Sequence, residues 1–197
     1  EELWDFHNSL KNEFFEKGAL EIEVYGGLWN LASNSPHFID LVSFWTNEKI
    51  EHIDTSNLEK HWFEGQRNNF YEVNGELKVY FDKGTKLKLI CKNYACDLNI
   101  KVKNNFDQWK IFEFLKTSSD NFSWLSNAKS SNGKEIHGHF DKQLITTVQE
   151  IESILKNGKC QLPSLKETGI NHIKYINVML DFWNSVNNLS GKNVPIT

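Results

Sequence analysis

The sequence predicts an α+β fold, with an open, mostly antiparallel sheet of about six strands and helices packed on one of its faces. Three observations carry this reading. Helical spacing of apolar residues is confined to the two ends of the chain and to one short stretch after residue 35. Alternation with a period of two fills much of residues 50–115. No regular strand–helix alternation of the kind that builds a parallel sheet occurs between them. A length of 197 residues supports one sizeable core and is short for two. Residues 1–18 therefore read as a helix leading into a single domain over 19–197.

Leu3, Phe6, Leu10 and Phe14 recur at helical spacing before Gly18, which gives a helix over 3–17. Leu20, Ile22 and Val24 alternate with Glu21 and Glu23 in a strand over 19–25 that runs into Gly26 and Gly27. Pro36 fits the first position of a short helix capped by Asn34 or Ser35, with Phe38, Leu41, Val42 and Trp45 as its apolar stripe. Strands follow over 50–53, over 70–81 with an interruption at Asn74-Gly75, and over 87–92, 98–102 and 109–115. In succession they form a meander. A helix over 142–156 places Leu144, Ile145, Val148, Ile151 and Leu155 on one side and stops at Gly158. After Pro163, Ser164 and Glu167 fit a capping box, and Ile173, Ile176, Met179, Leu180 and Trp183 continue the last helix.

Composition excludes several classes of function. Lys and Arg total 22 against 26 Asp and Glu, and one of those cations is an arginine, so no electrostatic footprint for nucleic acid is present. No apolar run reaches the roughly 18 to 20 residues that span a bilayer, and the first residues lack the basic start and apolar stretch of a secretory signal. The expectation is a cytoplasmic protein, and the Asn, Lys and Phe content fits an AT-rich bacterial genome. Three cysteines, Cys91, Cys96 and Cys160, have neither redox nor zinc spacing and read as buried thiols. No G-x-G-x-x-G and no P-loop occur, so the chain has no dinucleotide or triphosphate cradle of its own. It also starts without methionine, directly in an amphipathic segment, and reads as part of something longer.

The turn after the first strand is where a proton-handling side chain can be aimed into a cleft. His37 lies in the first turn of the short helix, and an imidazole exchanges a proton near neutral pH; the alternative is a histidine packed beside Trp29 or Trp45. Asn34 can bond a hydroxyl or orient His37, or cap the helix. Asp40, at i+3 from His37, can fix the imidazole's protonation state or serve as a carboxylate of the first helical turns. Arg67 offers the one guanidinium of the chain to a phosphate or carboxylate, or to a surface ion pair. Trp29 completes the candidate binding set. His137 and His139 share one face of a strand but lack the partners of a zinc site, so no metal is expected. His172 packs or lines a cleft.

The order Gly18-Ala19-Leu20, strand, Gly26-Gly27-Leu28-Trp29, then Asn34-Ser35-Pro36-His37-Phe38-Ile39-Asp40 resembles the start of the carboxy-terminal domain of the Gfo/Idh/MocA oxidoreductases, where glycines and a polar residue precede H-x-x-D. Arg67-Asn68-Asn69-Phe70-Tyr71-Glu72-Val73-Asn74-Gly75 is similar to a segment of that domain's sheet, and Gly169-Ile170-Asn171-His172-Ile173-Lys174-Tyr175 to its last helix. Members join an amino-terminal Rossmann domain, which binds NAD or NADP and supplies a catalytic lysine, to a domain like this one. That domain binds a sugar or polyol and builds subunit contacts with its open sheet. The resemblance thus implies a catalytic His37, a sugar or nucleotide-sugar substrate, a homo-oligomer through the sheet face, and a cofactor bound by a domain outside this chain. One position departs from the pattern: many members carry an aspartate four residues before the histidine, and here that residue is Ser33. Two other readings stay open: a non-enzymatic α+β module that binds a protein partner with its sheet, and a free-standing sugar-binding domain.

Overall fold

In the computed structural model, residues 2–15, 17–116, 124–140, 143–159 and 165–196 are described. The described residues form four helices and eight strands in the order α1 (Glu2–Phe14), β1 (Glu21–Gly27), α2 (Leu31–Thr46), β2 (Ile50–Glu64), β3 (Tyr71–Phe81), β4 (Lys86–Lys92), β5 (Asn99–Lys103), β6 (Gln108–Lys116), β7 (Trp124–Ser130), β8 (Glu135–Phe140), α3 (Gln143–Asn157) and α4 (Leu165–Asn187). All eight strands belong to one sheet with the order β2-β3-β4-β1-β5-β6-β7-β8. The α+β class and the open sheet agree with expectation, but the strand count rises from six to eight and the sheet is mixed.

The mixing has one origin. From β1 the chain crosses the sheet through α2 to the far edge at β2, then returns as the meander β2-β3-β4, which brings β4 alongside β1 in parallel. A parallel pair needs such a crossover, whereas β5 to β8 continue antiparallel on the other side of β1. The simple meander is therefore interrupted in its middle by β1.

Strands β7 and β8 escape a search for hydrophobic alternation because their described buried residues are small. Ser126, Ala128 and Ser130 are buried, and a Cβ at Gly138 of β8 would lie 2.7 Å from Cβ of Phe6. Asn74-Gly75 is not a break. Strand β3 runs through it, with Gly75 at φ +115 and its Cα side against β2, where a Cβ would meet Asn57 O at 2.6 Å.

Phe6, Leu10 and Phe14 of α1, Leu31, Ile39, Val42 and Trp45 of α2, and Tyr175 and Met179 of α4 close onto one face of the sheet. The stripe of α4 agrees with the predicted one at Met179 and Trp183 but not at Ile173 and Ile176, which are exposed, while Tyr175 is buried. Val148, Ile151 and Leu155 of α3 are exposed as well, because α1, α2 and α4 already cover the sheet. The capping serine at 164, Pro163 and Cys160 lie outside the described residues; Cys91 is buried and Cys96 partly so.

The opposite face is polar. A cross-strand row places Lys78, Lys88, Glu23, Lys101, Lys110 and Lys129 side by side. Lys88 bridges Glu23 at 3.5 Å and Glu76 at 3.1 Å, and Lys101 reaches Glu23 at 3.2 Å. The tryptophans whose side chains are described, Trp29, Trp45, Trp62, Trp109 and Trp183, sit in the core or against it. No described helix is long and apolar enough to cross a membrane.

Candidate functional site

The turn from β1 into α2 is shaped by close approach. A Cβ at Gly27 would fall 1.7 Å from Tyr94 O, so the strand can lie against the 94–96 segment only with glycine there. Gly27 N–H donates to Cys96 O at 3.2 Å and Leu28 N–H to Lys92 O at 3.0 Å. Leu28 and Asn30 then take left-handed backbone angles, φ 55 and 59, and reverse the chain into α2.

Helix α2 begins five residues earlier than predicted, at Leu31, which puts Pro36 inside it. Asn30 precedes it without a side-chain cap, and the capping group comes from the sheet. Glu72 of β3 accepts the Ala32 N–H at 2.7 Å and the Ser33 N–H at 3.2 Å, a carboxylate set on the positive end of the helix. Pro36 has no N–H for the carbonyl of Ala32, four residues back. The Tyr175 hydroxyl of α4 donates to that carbonyl at 2.6 Å. The peptide at Ala32 is thus held from both sides, and the turns that follow are fixed in place.

Those turns face a cavity of about 310 Å³ whose opposite wall is the β2–β3 connection. Three of the predicted residues meet there. His37, exposed at the edge, Asn34 and Arg67 all line it, together with Ser33 and Glu72. Asn34 donates to Trp29 O at 2.7 Å through Nδ2, which leaves its Oδ1 as an acceptor. Arg67 sits in a turn closed by Phe70 N–H to Arg67 O at 3.1 Å. No described residue forms an ion pair with its guanidinium, so the surface-pair alternative has no partner among them.

The other two stand apart from the cavity lining. Trp29 donates from Nε1 to Ile90 O at 2.9 Å and packs edge-on against Phe38, a support for the turn. Asp40 Oδ2 meets His172 Nε2 at 2.7 Å and so ties α2 to α4, while its Oδ1 is buried without a bond. Burial raises the Asp40 carboxyl above its ordinary range, against the lowering pull of His172 and of His37. His137 lies beside Glu135 at 3.5 Å, the His139 side chain is outside the described residues, and no described group of three metal-ligating side chains exists.

Sequence reasoning missed Glu72 as a member of this site. The residue is 4% exposed, and burial pushes its carboxyl up, against the lowering effect of Ser33 and the two amides. The site therefore assembles an imidazole, a carboxylate, an amide oxygen and a guanidinium around one polar space. That set suits a hydroxyl-rich ligand with an anionic end, at which a proton can be exchanged. The amides at the start of α2, the place where a pyrophosphate would bind, are already occupied by Glu72, and its charge repels phosphate.

No family model matches the sequence, and no curated protein does. Solved structures do share the fold, and they are oxidoreductases by name. A protein named as an NADPH-dependent oxidoreductase from Desulfitobacterium hafniense is 14% identical with a TM-score of 0.54, over 94% of this chain and 60% of that one. An aldose–aldose oxidoreductase from Caulobacter crescentus, solved with glycerol, is 9% identical with a TM-score of 0.57, over 94% and 58%. A protein named as an oxidoreductase from Bacillus subtilis is 10% identical with a TM-score of 0.55, over 95% and 61%. The chain thus spans about three fifths of the length of these structures, and at such identities they show a common fold.

Proposed function

We propose that the chain is the carboxy-terminal, substrate-binding and oligomerisation domain of a cytoplasmic NAD(P)-dependent oxidoreductase that acts on a sugar or a nucleotide-linked sugar. One observation supports the reading: His37 and Asn34, from one stretch of the chain, and Arg67, from the β2–β3 connection, line one polar cavity. Bound NAD or NADP would serve as the hydride acceptor, held by the Rossmann domain that the resemblance implies. His37 takes the proton of the reacting hydroxyl, Asn34 accepts from a neighbouring hydroxyl, and Arg67 anchors a phosphate or other anionic end. Asp40 stands behind the cavity on the same helix as His37, bonded to His172 of α4.

Replacing His37 with Ala in the full-length protein is expected to lower turnover by at least about 100-fold and to leave cofactor affinity unchanged. Unaltered turnover removes this role from His37. For the assembly, the polar sheet face is the surface we assign to a second copy. Its lysines and glutamates make such a dimer sensitive to ionic strength, so sedimentation is expected to show dissociation between about 0.05 and 0.5 M salt. A dimer indifferent to salt places the contact elsewhere.

A further inference from the structure

The contacts of Glu72 do not fill its oxygens. A carboxylate offers about four lone-pair directions. Oε2 accepts from Ala32 N–H at 2.7 Å, Oε1 accepts from Ser33 N–H at 3.2 Å, and the Ser33 hydroxyl also acts on the group. No lysine or arginine is among the groups that influence it. A charge this deep and without a cation is costly unless donors complete its shell, and burial indeed raises its carboxyl above the ordinary range. Yet Glu72 is among the residues that line the cavity His37, Asn34 and Arg67 share. The remaining lone pairs can be met from that space.

We propose that Glu72 is a ligand-binding carboxylate, the acceptor to which a hydroxyl of a polyol donates when it occupies the cavity beside His37. The assignment rests on the reading of this cavity as a polyol site and adds a residue to it. A hydroxyl suits the position better than an ammonium because Arg67 already places one positive charge at the same cavity. It also suits it better than an anion, which the carboxylate repels. Glu72 therefore selects for the neutral, hydroxyl-bearing part of the ligand and leaves an anionic end to Arg67.

The test uses the full-length protein with ¹³C at the glutamate carboxyls and the histidine rings, titrated with sorbitol at neutral pH, the two signals being assigned with Glu72→Gln and His37→Gln. The expected result is that the Glu72 and His37 signals shift together along one binding curve, and that Glu72→Gln weakens sorbitol binding at least tenfold. A shift at His37 with none at Glu72 overturns the role of Glu72 and leaves the cavity reading intact. No shift at either residue overturns both.

Discussion

Two imidazoles lie close to α2, and their surroundings differ in one respect. His172 reaches from α4 and meets Asp40 at 2.7 Å, so its hydrogen-bonding capacity is directed inward and joins two helices. His37 stands exposed at a cavity whose carboxylate, Glu72, is turned toward backbone amides. Residue type alone cannot separate the two. Here the imidazole bonded to Asp40 joins two helices, whereas the one that lines the polar cavity has a ring nitrogen to offer a ligand. A third histidine marks the opposite limit: His7 of α1 is 8% exposed, with its ring 5.2 Å from Phe6 and 5.9 Å from Trp45.

The largest effect that sharpens this contrast belongs to His7. Burial lowers its pKa from 6.5 to about 4, so the folded state keeps it neutral where the unfolded chain protonates it. The stability it confers is complete above pH 6.5 and is lost as pH falls from there toward 4, a loss of about 3 kcal/mol when complete. Urea midpoints across that window are expected to fall steeply in the wild type and to flatten in His7→Phe. The raised carboxyls of Asp40 and Glu72 act with the opposite sign, because each binds its proton more tightly when folded. Wild-type and His7→Phe midpoints that change in parallel from pH 6.5 to 4 refute the buried, neutral state of His7.

The parts of the site that sequence made legible are those carried by polar residues beside a recognisable turn and by the chain's one arginine. His37 after a glycine turn, the single arginine and the asparagine before the helix are visible without coordinates, and they converge. Glu72 is not visible in this way. Counting by twos back from Phe81, Val79 and Leu77 assigns it to the open face, but Glu72, Val73 and Asn74 are buried in succession next to the irregular position at Gly75. The start of α2 was misplaced for a related reason. Pro36 is normally a first-turn residue, and it is tolerated deeper in this helix because a donor 143 residues away meets the carbonyl it leaves open. Strands β7 and β8 lacked a signal because their described buried residues are small, and not large apolar ones.

That distant donor defines the next prediction. Tyr175 is fully buried, and its hydroxyl donates to Ala32 O beside the Ser35 side chain, which also interacts with it. Tyr175→Phe keeps the ring and leaves the carbonyl without a donor, which is expected to reduce unfolding free energy by about 1–2 kcal/mol. The same change loosens the turn that presents Asn34 and His37, so sorbitol affinity is expected to fall with stability. His172→Leu, which leaves that turn clamped, is not expected to have this effect. Equal losses of affinity in the two variants would erase the distinction between a ligand-facing and a fold-facing imidazole.

The smallest effect tests the paired histidine itself. In His172→Leu the Asp40 carboxyl loses its hydrogen bond and stays half-buried, so burial holds its pKa further above the ordinary value. A carboxyl whose folded pKa lies above its unfolded one favours folding most at low pH, and that contribution is lost as pH rises through the folded value. His172→Leu is therefore expected to be nearly as stable as the wild type near pH 4. By pH 7 it should fall behind by no more than about 1 kcal/mol, since both side chains retain some contact with solvent, 40% for His172 and 26% for Asp40. Chemical unfolding at the two pH values separates the cases. A deficit that is the same at both would mean that His172 contributes packing alone, and that the bond to Asp40 carries no charge-dependent stability.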